Sequence, residues 1–163
     1  MKIDIFNLKM DEEKRNILVK EKSRYYQGVK NTASSSNVVK LMNDLFDLKN
    51  LAEERTYLIG MNNMFKSLGF FEISHGTPVQ AYLGIREMMI RSLLVGAQKI
   101  IIIHNHPSGQ VEPSLVDMKI TIAIDNAARF MGIHLVDHII IGGDNYYSFE
   151  EKRKEKKAGL PKQ

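Results

Sequence analysis

In "IIIIHNHPSGQVEPSLVD", two histidines stand two apart, His104 and His106, and after a gap of seven residues come Ser114 and Asp117, three apart. Imidazoles and a carboxylate at such positions could hold a zinc ion. Alternate side chains of a strand share a face, so both imidazoles can project together while Asn105 points away. A catalytic zinc commonly takes three protein ligands and keeps one position for water. On a helix, residues three apart also share a face, so Asp117 can offer a carboxylate oxygen as third ligand, with the Ser114 hydroxyl beside the open position. A helix N-terminus adds a positive dipole end where an oxyanion would develop. Each part has a plainer account: turn histidines, the turn chemistry of Pro107, Ser108 and Gly109, and an S-x-x-D helix cap. Their conjunction is hard to get by accident and is specific.

These residues need a strand that ends at His104 and a helix that starts after Pro113. "KIIII" is short, β-branched and continuous, as suits a central strand covered on both faces. A helix is expected from about Ser114 to Met131, stopping before Gly132. Upstream, "TASSSNVVKLMNDLFDLKNLAEE" predicts a serine-capped helix, with Val38, Val39, Leu41, Met42, Leu45 and Phe46 at helical spacing. "RTYLIGMNN" and "SLGFFEIS" read as a hairpin, and Tyr82 to Val95 as a helix with its stripe at Ile85, Met89, Ser92 and Leu93. "IHLVDHIIIGGDNYYSF" closes as strand, turn and strand. Strands alternating with helices indicate an α/β sandwich around a mixed sheet. Residues 1–35, rich in charge, read as a polar arm or short helix.

A chain of 163 residues with 44% hydrophobic and 26% charged content should bury a core as one globular domain. With no cysteine there is no disulfide framework, thiolate nucleophile or thiolate-bound zinc, so a metal site must use histidine, carboxylate and water. No apolar run approaches a membrane span and the N-terminus lacks a signal-peptide core, so no membrane partner and a cytoplasmic location are expected. The net charge of +4 comes largely from the tail, residues 151–163, expected to be solvated and disordered. A weak nucleic-acid contact through that tail is the alternative.

The pattern His104-x-His106, seven residues, Ser114-x-x-Asp117 resembles the JAMM (MPN-plus) zinc-metallopeptidase signature. The fuller "HNHPSGQVEPSLVD", followed by "GIHLVDHIIIGG", is similar to the RadC-like JAB domain of bacteria. The resemblance runs roughly from Val38 to Glu150, which sets off a JAB/MPN domain at residues 36–150. It implies a cytidine-deaminase-like α/β sandwich, one Zn2+ per chain held by His104, His106 and Asp117, and Ser114 assisting at the oxyanion. It also implies hydrolysis of a peptide or isopeptide-linked protein substrate by zinc-activated water. The helix-hairpin-helix region that usually precedes this domain is not evident here, which weakens the DNA-repair association. The alternatives are a binding or scaffold module linked to DNA repair or mobile elements, and a zinc-dependent nuclease. The contiguous string "HNH" is unlike HNH nucleases, whose residues are spread over a ββα unit.

The JAMM pattern also places a glutamate general base at the start of an early strand, which Glu54 in "AEERTYLIGMN" fits. Glu53 is its adjacent competitor. Glu87, in "GIREMMIRSL", lies nearer in sequence but pairs by spacing with Arg91, as on an exposed helix face. The chain departs from the commoner family form at Arg55, Thr56 and "GIRE", which bears on the substrate groove. His75 reads as a strand-end residue. His134 and His138 are expected on one face of their strand, opposite Leu135 and Asp137, with His138 either structural or a partner of the metal ligands. The nine methionines read as core filler.

Overall fold

The structure, a computed structural model, describes residues 1–76 and 84–158. In chain order its elements are β1 (Lys2–Met10), β2 (Asn16–Tyr25), α1 (Ser35–Phe46), β3 (Arg55–Met61), β4 (Ser67–His75), α2 (Gly84–Leu94), β5 (Lys99–Asn105), α3 (Leu115–Phe130), β6 (His134–Gly142), β7 (Asn145–Ser148) and α4 (Phe149–Ala158). The strands form one mixed sheet in the order β2-β1-β4-β3-β5-β6-β7. β5 runs antiparallel to β3 on one side and parallel to β6 on the other.

The isoleucine run is the spine of the sheet. Ile101 and Ile103 face one cluster with Val38, Leu41 and Met42 of α1. Ile100 and Ile102 face the other, with Met88 and Met89 of α2 and Ile120, Ile124 and Ala128 of α3. A strand covered on both sides needs apolar residues at every position, and fully burying each such side chain contributes roughly 1.5–3 kcal/mol. The result is the expected α/β sandwich around a mixed sheet.

Local signals set the ends of α1. Ser34 caps it by accepting the Asn37 amide, and Asp47 ends it in the left-handed region at φ 53°. In α2 the buried residues are Met88, Met89 and Ser92, while Leu93 is 52% exposed, so the helix is rotated from the stripe expected through Leu93. The expected start at Tyr82 lies outside the described residues.

The polar arm or short helix expected over residues 1–35 is instead largely a β-hairpin. β1 and β2 pair from Lys2↔Tyr25 to Met10↔Asn16, and β1 joins the sheet in parallel with β4 at Ile5↔Phe70. Ile3 is fully buried in the α1-side cluster, while Asp4 holds Lys2 and Lys20, each at 3.1 Å. The tail, too, starts as a helix rather than disordered chain: α4 extends to Ala158 with no buried residue. Glu150 pairs there with Arg153 and Lys154, and Lys152 with Glu155, at the three- and four-residue spacings that support an exposed helix. Residues 159–163 of the tail lie outside the described residues. Among the described residues no helix is long and apolar enough to cross a membrane.

Candidate metal centre

The carboxyl end of β5, the start of β3 and the first turn of α3 meet at one point. His104 sits on the α3 side of the sheet, where Ile100 and Ile102 also point, and His106 extends the same line by donating its amide to Ile141 O at 2.8 Å. The two imidazoles face each other, with Nε2 of His104 3.0 Å from Nε2 of His106. Asp117 approaches both: Oδ1 lies 3.3 Å from His104 Nε2, and Oδ2 lies 3.6 Å from His106 Nε2. Glu54, immediately before β3, places Oε1 3.9 Å from His104 Nε2.

Glu54, His104 and His106 thus form a cluster that could hold a metal ion, each with one ligand atom within 4.8 Å of the others. The donors suit such a role. Facing ring nitrogens repel through their lone pairs unless a proton or a cation lies between them. Two imidazole nitrogens beside carboxylates, with no sulfur, make a set that zinc accepts.

The loop between β5 and α3 is held from several sides. Pro107 and Ser108 make a turn closed by the Gly109 amide on His106 O at 3.0 Å, and His106 Nδ1 meets Gln110 O at 2.8 Å. A hydrogen on that nitrogen donates to the carbonyl, which leaves Nε2 for the site. Ser114 caps α3 in a reciprocal capping box: its hydroxyl accepts the Asp117 amide at 3.1 Å, and Asp117 Oδ2 accepts the Ser114 amide at 2.8 Å. The Ser114 hydroxyl donates to the same Oδ2 at 2.6 Å. The S-x-x-D motif is therefore a helix cap, and its carboxylate is at the same time the candidate ligand.

Charge is distributed unevenly over the cluster. Burial pushes His104 well below the ordinary imidazole range, with His138 adding to the effect. The Asp117 carboxylate facing it moves His106 the opposite way, upward. Burial would raise Asp117, yet the bonds from His106 and Ser114 outweigh it and hold the carboxyl well below its usual range. Burial raises Glu54. A cavity of about 40 Å³ adjoins the cluster, walled by Ile73, Met88, Ile102, Ile120 and Ile124. It has room for water.

The other candidates fall elsewhere. Glu53 is exposed and hydrogen-bonds His75. Glu87 stays on α2, where its carboxylate lies 3.5 Å from Arg86 Nη1; Arg91 bonds the Glu87 carbonyl rather than the carboxylate expected from the spacing. The pairing of β6 with β5 slips by one residue between Leu135 and Asp137. Leu135 therefore shares the α3 side with His138, and His134 turns to the other side, contrary to the simple alternation expected.

Two contributors went unnoticed in the sequence. Asn105 is buried on the face opposite the histidines; its Oδ1 accepts the Arg55 amide at 2.8 Å and its Nδ2 donates to Glu53 O at 3.1 Å. The middle residue of H-N-H therefore grips the chain on both sides of Glu54. Thr121, one turn beyond Asp117, bonds His138. A polar residue four after a candidate ligand was the available signal.

A mixed sheet between helical layers, with an H-x-H strand tip facing an S-x-x-D helix start, defines a protein of the JAB/MPN kind. The profile of the RadC-like JAB domain matches residues 32–155, and the chain belongs to that family. It is 36% identical over 104 residues to a UPF0758 protein of Clostridioides difficile, covering 64% of this chain and 44% of that one. A UPF0758 protein of Clostridium perfringens is 37% identical over 117 residues, 72% of this chain and 51% of its own. The chain spans about half the length of the curated relatives it matches.

Proposed function

We propose that this chain is a zinc-dependent hydrolase of amide bonds, peptide or isopeptide, with one zinc held by His104, His106 and Asp117. The observation that carries the reading is the 3.0 Å approach of the two imidazole Nε2 atoms, with Asp117 oxygens 3.3 and 3.6 Å away. Zinc at such a site acts as a Lewis acid and lowers the pKa of water toward about 7.

The chain's own residues supply the rest. Glu54, raised by burial and 3.9 Å from His104, takes a proton from the attacking water at Oε1 and returns it to the departing amine. Asn105 steadies the backbone on either side of that carboxylate. The exposed Ser114 hydroxyl, beside the positive end of α3, exchanges its bond to Asp117 for one to the oxyanion, an interaction worth about 3–4 kcal/mol of barrier. The apolar wall beside the cluster lowers the local dielectric around these charges.

A nucleic-acid role through the tail is less favoured, because several cations of α4 are matched by glutamates of the same helix. If DNA were nonetheless a partner, binding would weaken steeply with salt and would be lost on tail truncation.

The test combines elemental analysis of protein purified without chelator with a screen of plain and isopeptide-linked peptides. His106→Ala is expected to abolish zinc uptake, whereas Glu54→Gln keeps zinc and loses about 10²–10⁴-fold in turnover. Stoichiometric zinc in the His106 variant, or full turnover in the Glu54 variant, would overturn the assignment.

A further inference from the structure

Behind His104 a line of three hydrogen bonds leads back to the helix that carries Asp117. His104 Nδ1 lies 2.9 Å from His138 Nε2, on β6. The other nitrogen of His138, Nδ1, lies 2.6 Å from Thr121 Oγ1, on α3. Thr121 Oγ1 in turn donates to the main-chain oxygen of Asp117 at 2.5 Å. The line ties two strands and one helix together at the site.

Its direction is set from the carbonyl end. A carbonyl oxygen has no proton to give, so Thr121 commits its single hydroxyl proton there. The Thr121 oxygen must then accept from His138 Nδ1–H. A neutral imidazole carries one N–H, so His138 Nε2 is bare and accepts from His104 Nδ1–H. That leaves His104 Nε2 bare, and this is the atom that faces His106 and Asp117.

Neutral rings are what this environment favours. His104 and His138 are only 3% and 2% exposed, and His138 stacks on Phe149 at 5.1 Å with the rings 6° from parallel. A buried imidazolium needs a compensating partner, and the partners along this line are a hydroxyl and another imidazole. The nearby Asp117 carboxylate, 3.3 Å from His104 Nε2, is outweighed by the burial of both rings.

We propose that Thr121 and His138 are positioning residues that fix the Nδ1–H tautomer of His104 and so hold its Nε2 lone pair toward the metal site. His106 is oriented separately, by the contact of its Nδ1 with Gln110 O. The consequence for zinc rests on the proposed function, whereas the tautomer itself does not. Partners of this kind, which orient a ligating histidine, change metal affinity by about 10–100-fold when removed.

The experiment reads the imidazole tautomers of chelator-treated protein by long-range ¹H–¹⁵N correlation, and zinc affinity by competition with a chelating indicator. The native chain is expected to show Nδ1–H at both His104 and His138. Thr121→Val, which keeps the shape and removes the hydroxyl, should give mixed His104 tautomers and about 10–100-fold weaker zinc binding; Thr121→Ser should restore both. His138→Gln is the harsher variant, and Thr121→Val decides the matter if it does not fold. An Nε2–H tautomer at His104 in the native chain, or a Thr121→Val protein with unchanged tautomer or unchanged affinity, overturns the proposal. Should the native chain bind no zinc, the hydrolase reading fails while the tautomers still decide this one.

Discussion

Asn105 Oδ1 accepts the backbone amide of Arg55 at 2.8 Å, which couples the tip of the histidine strand to the strand that presents Glu54. The same side chain donates to Glu53 O, so both ends of one buried amide are committed to the residues flanking the candidate base. Asn105→Ala leaves the Arg55 amide without this partner, at a cost of about 1–3 kcal/mol, and frees Glu54 to wander. The expected outcome is a lowered melting temperature, retained zinc and slower turnover. Wild-type turnover with retained zinc would show that Glu54 is positioned by something else.

The core of this arrangement was legible because it is local. The H-x-H alternation and the S-x-x-D turn each span fewer than five residues, and backbone periodicity alone fixes their facing directions. The sheet strands flanking them, β3 to β7, were legible for the same reason. What lay hidden depends on contacts far apart in sequence. Asn105 reaches back to Arg55, and Thr121 bonds the far side of His138, whose contact with His104 is the alternative the sequence offers. The bulge in β6 reverses the parity on which the placement of His134 depended. The first 35 residues concealed a hairpin because an edge pair exposes much of its surface, and the ion pair that joins its two strands, Asp4 with Lys20, links residues far apart along the chain.

Ser114 carries two roles that one substitution can separate. As the N-cap of α3 it contributes about 1 kcal/mol of stability, and as a hydroxyl beside Asp117 it is available to an oxyanion. Ser114→Ala should lower stability by about that amount and turnover by about 10²–10³-fold. Ser114→Gly costs only a few tenths of a kcal/mol as a cap yet should lose turnover equally. If the glycine variant keeps its rate, the hydroxyl serves the helix alone.

Asp4 gives the hairpin a pH signature. Its carboxyl is held down to about 2, first by the Ser23 hydroxyl, against some opposing burial, with Lys20 and Lys2 adding to the effect. A carboxyl whose folded pKa lies below its unfolded value of 3.8 contributes stability that is complete above that value and lost as pH falls toward about 2. Asp4→Asn should therefore be less stable than the native chain near neutral pH, with the gap closing through that acid window. Denaturant titrations of both proteins across the window check it. A gap that stays constant on acidification would exclude Asp4 as its source.

Gly142, at the end of β6, lies against the turn that follows His106. A Cβ at that position would meet Gly109 O at 2.5 Å, Gly109 C at 2.8 Å and Val111 Cγ1 at 2.9 Å. Two of these are backbone atoms, so the collision cannot be relieved by rotating a side chain. Gly109 itself sits at φ +79°, which leaves the turn little freedom to re-form with another conformation. The displaced loop also contains Gln110, whose carbonyl orients His106. Gly142→Ala is therefore expected to cost about 1–3 kcal/mol from overpacking and, through His106, to weaken zinc binding by about tenfold or more. Thermal unfolding of the chelator-treated protein reads the first effect and chelator competition the second. A destabilised variant that still binds zinc at native strength would mean that the turn packs against β6 without steering the histidine.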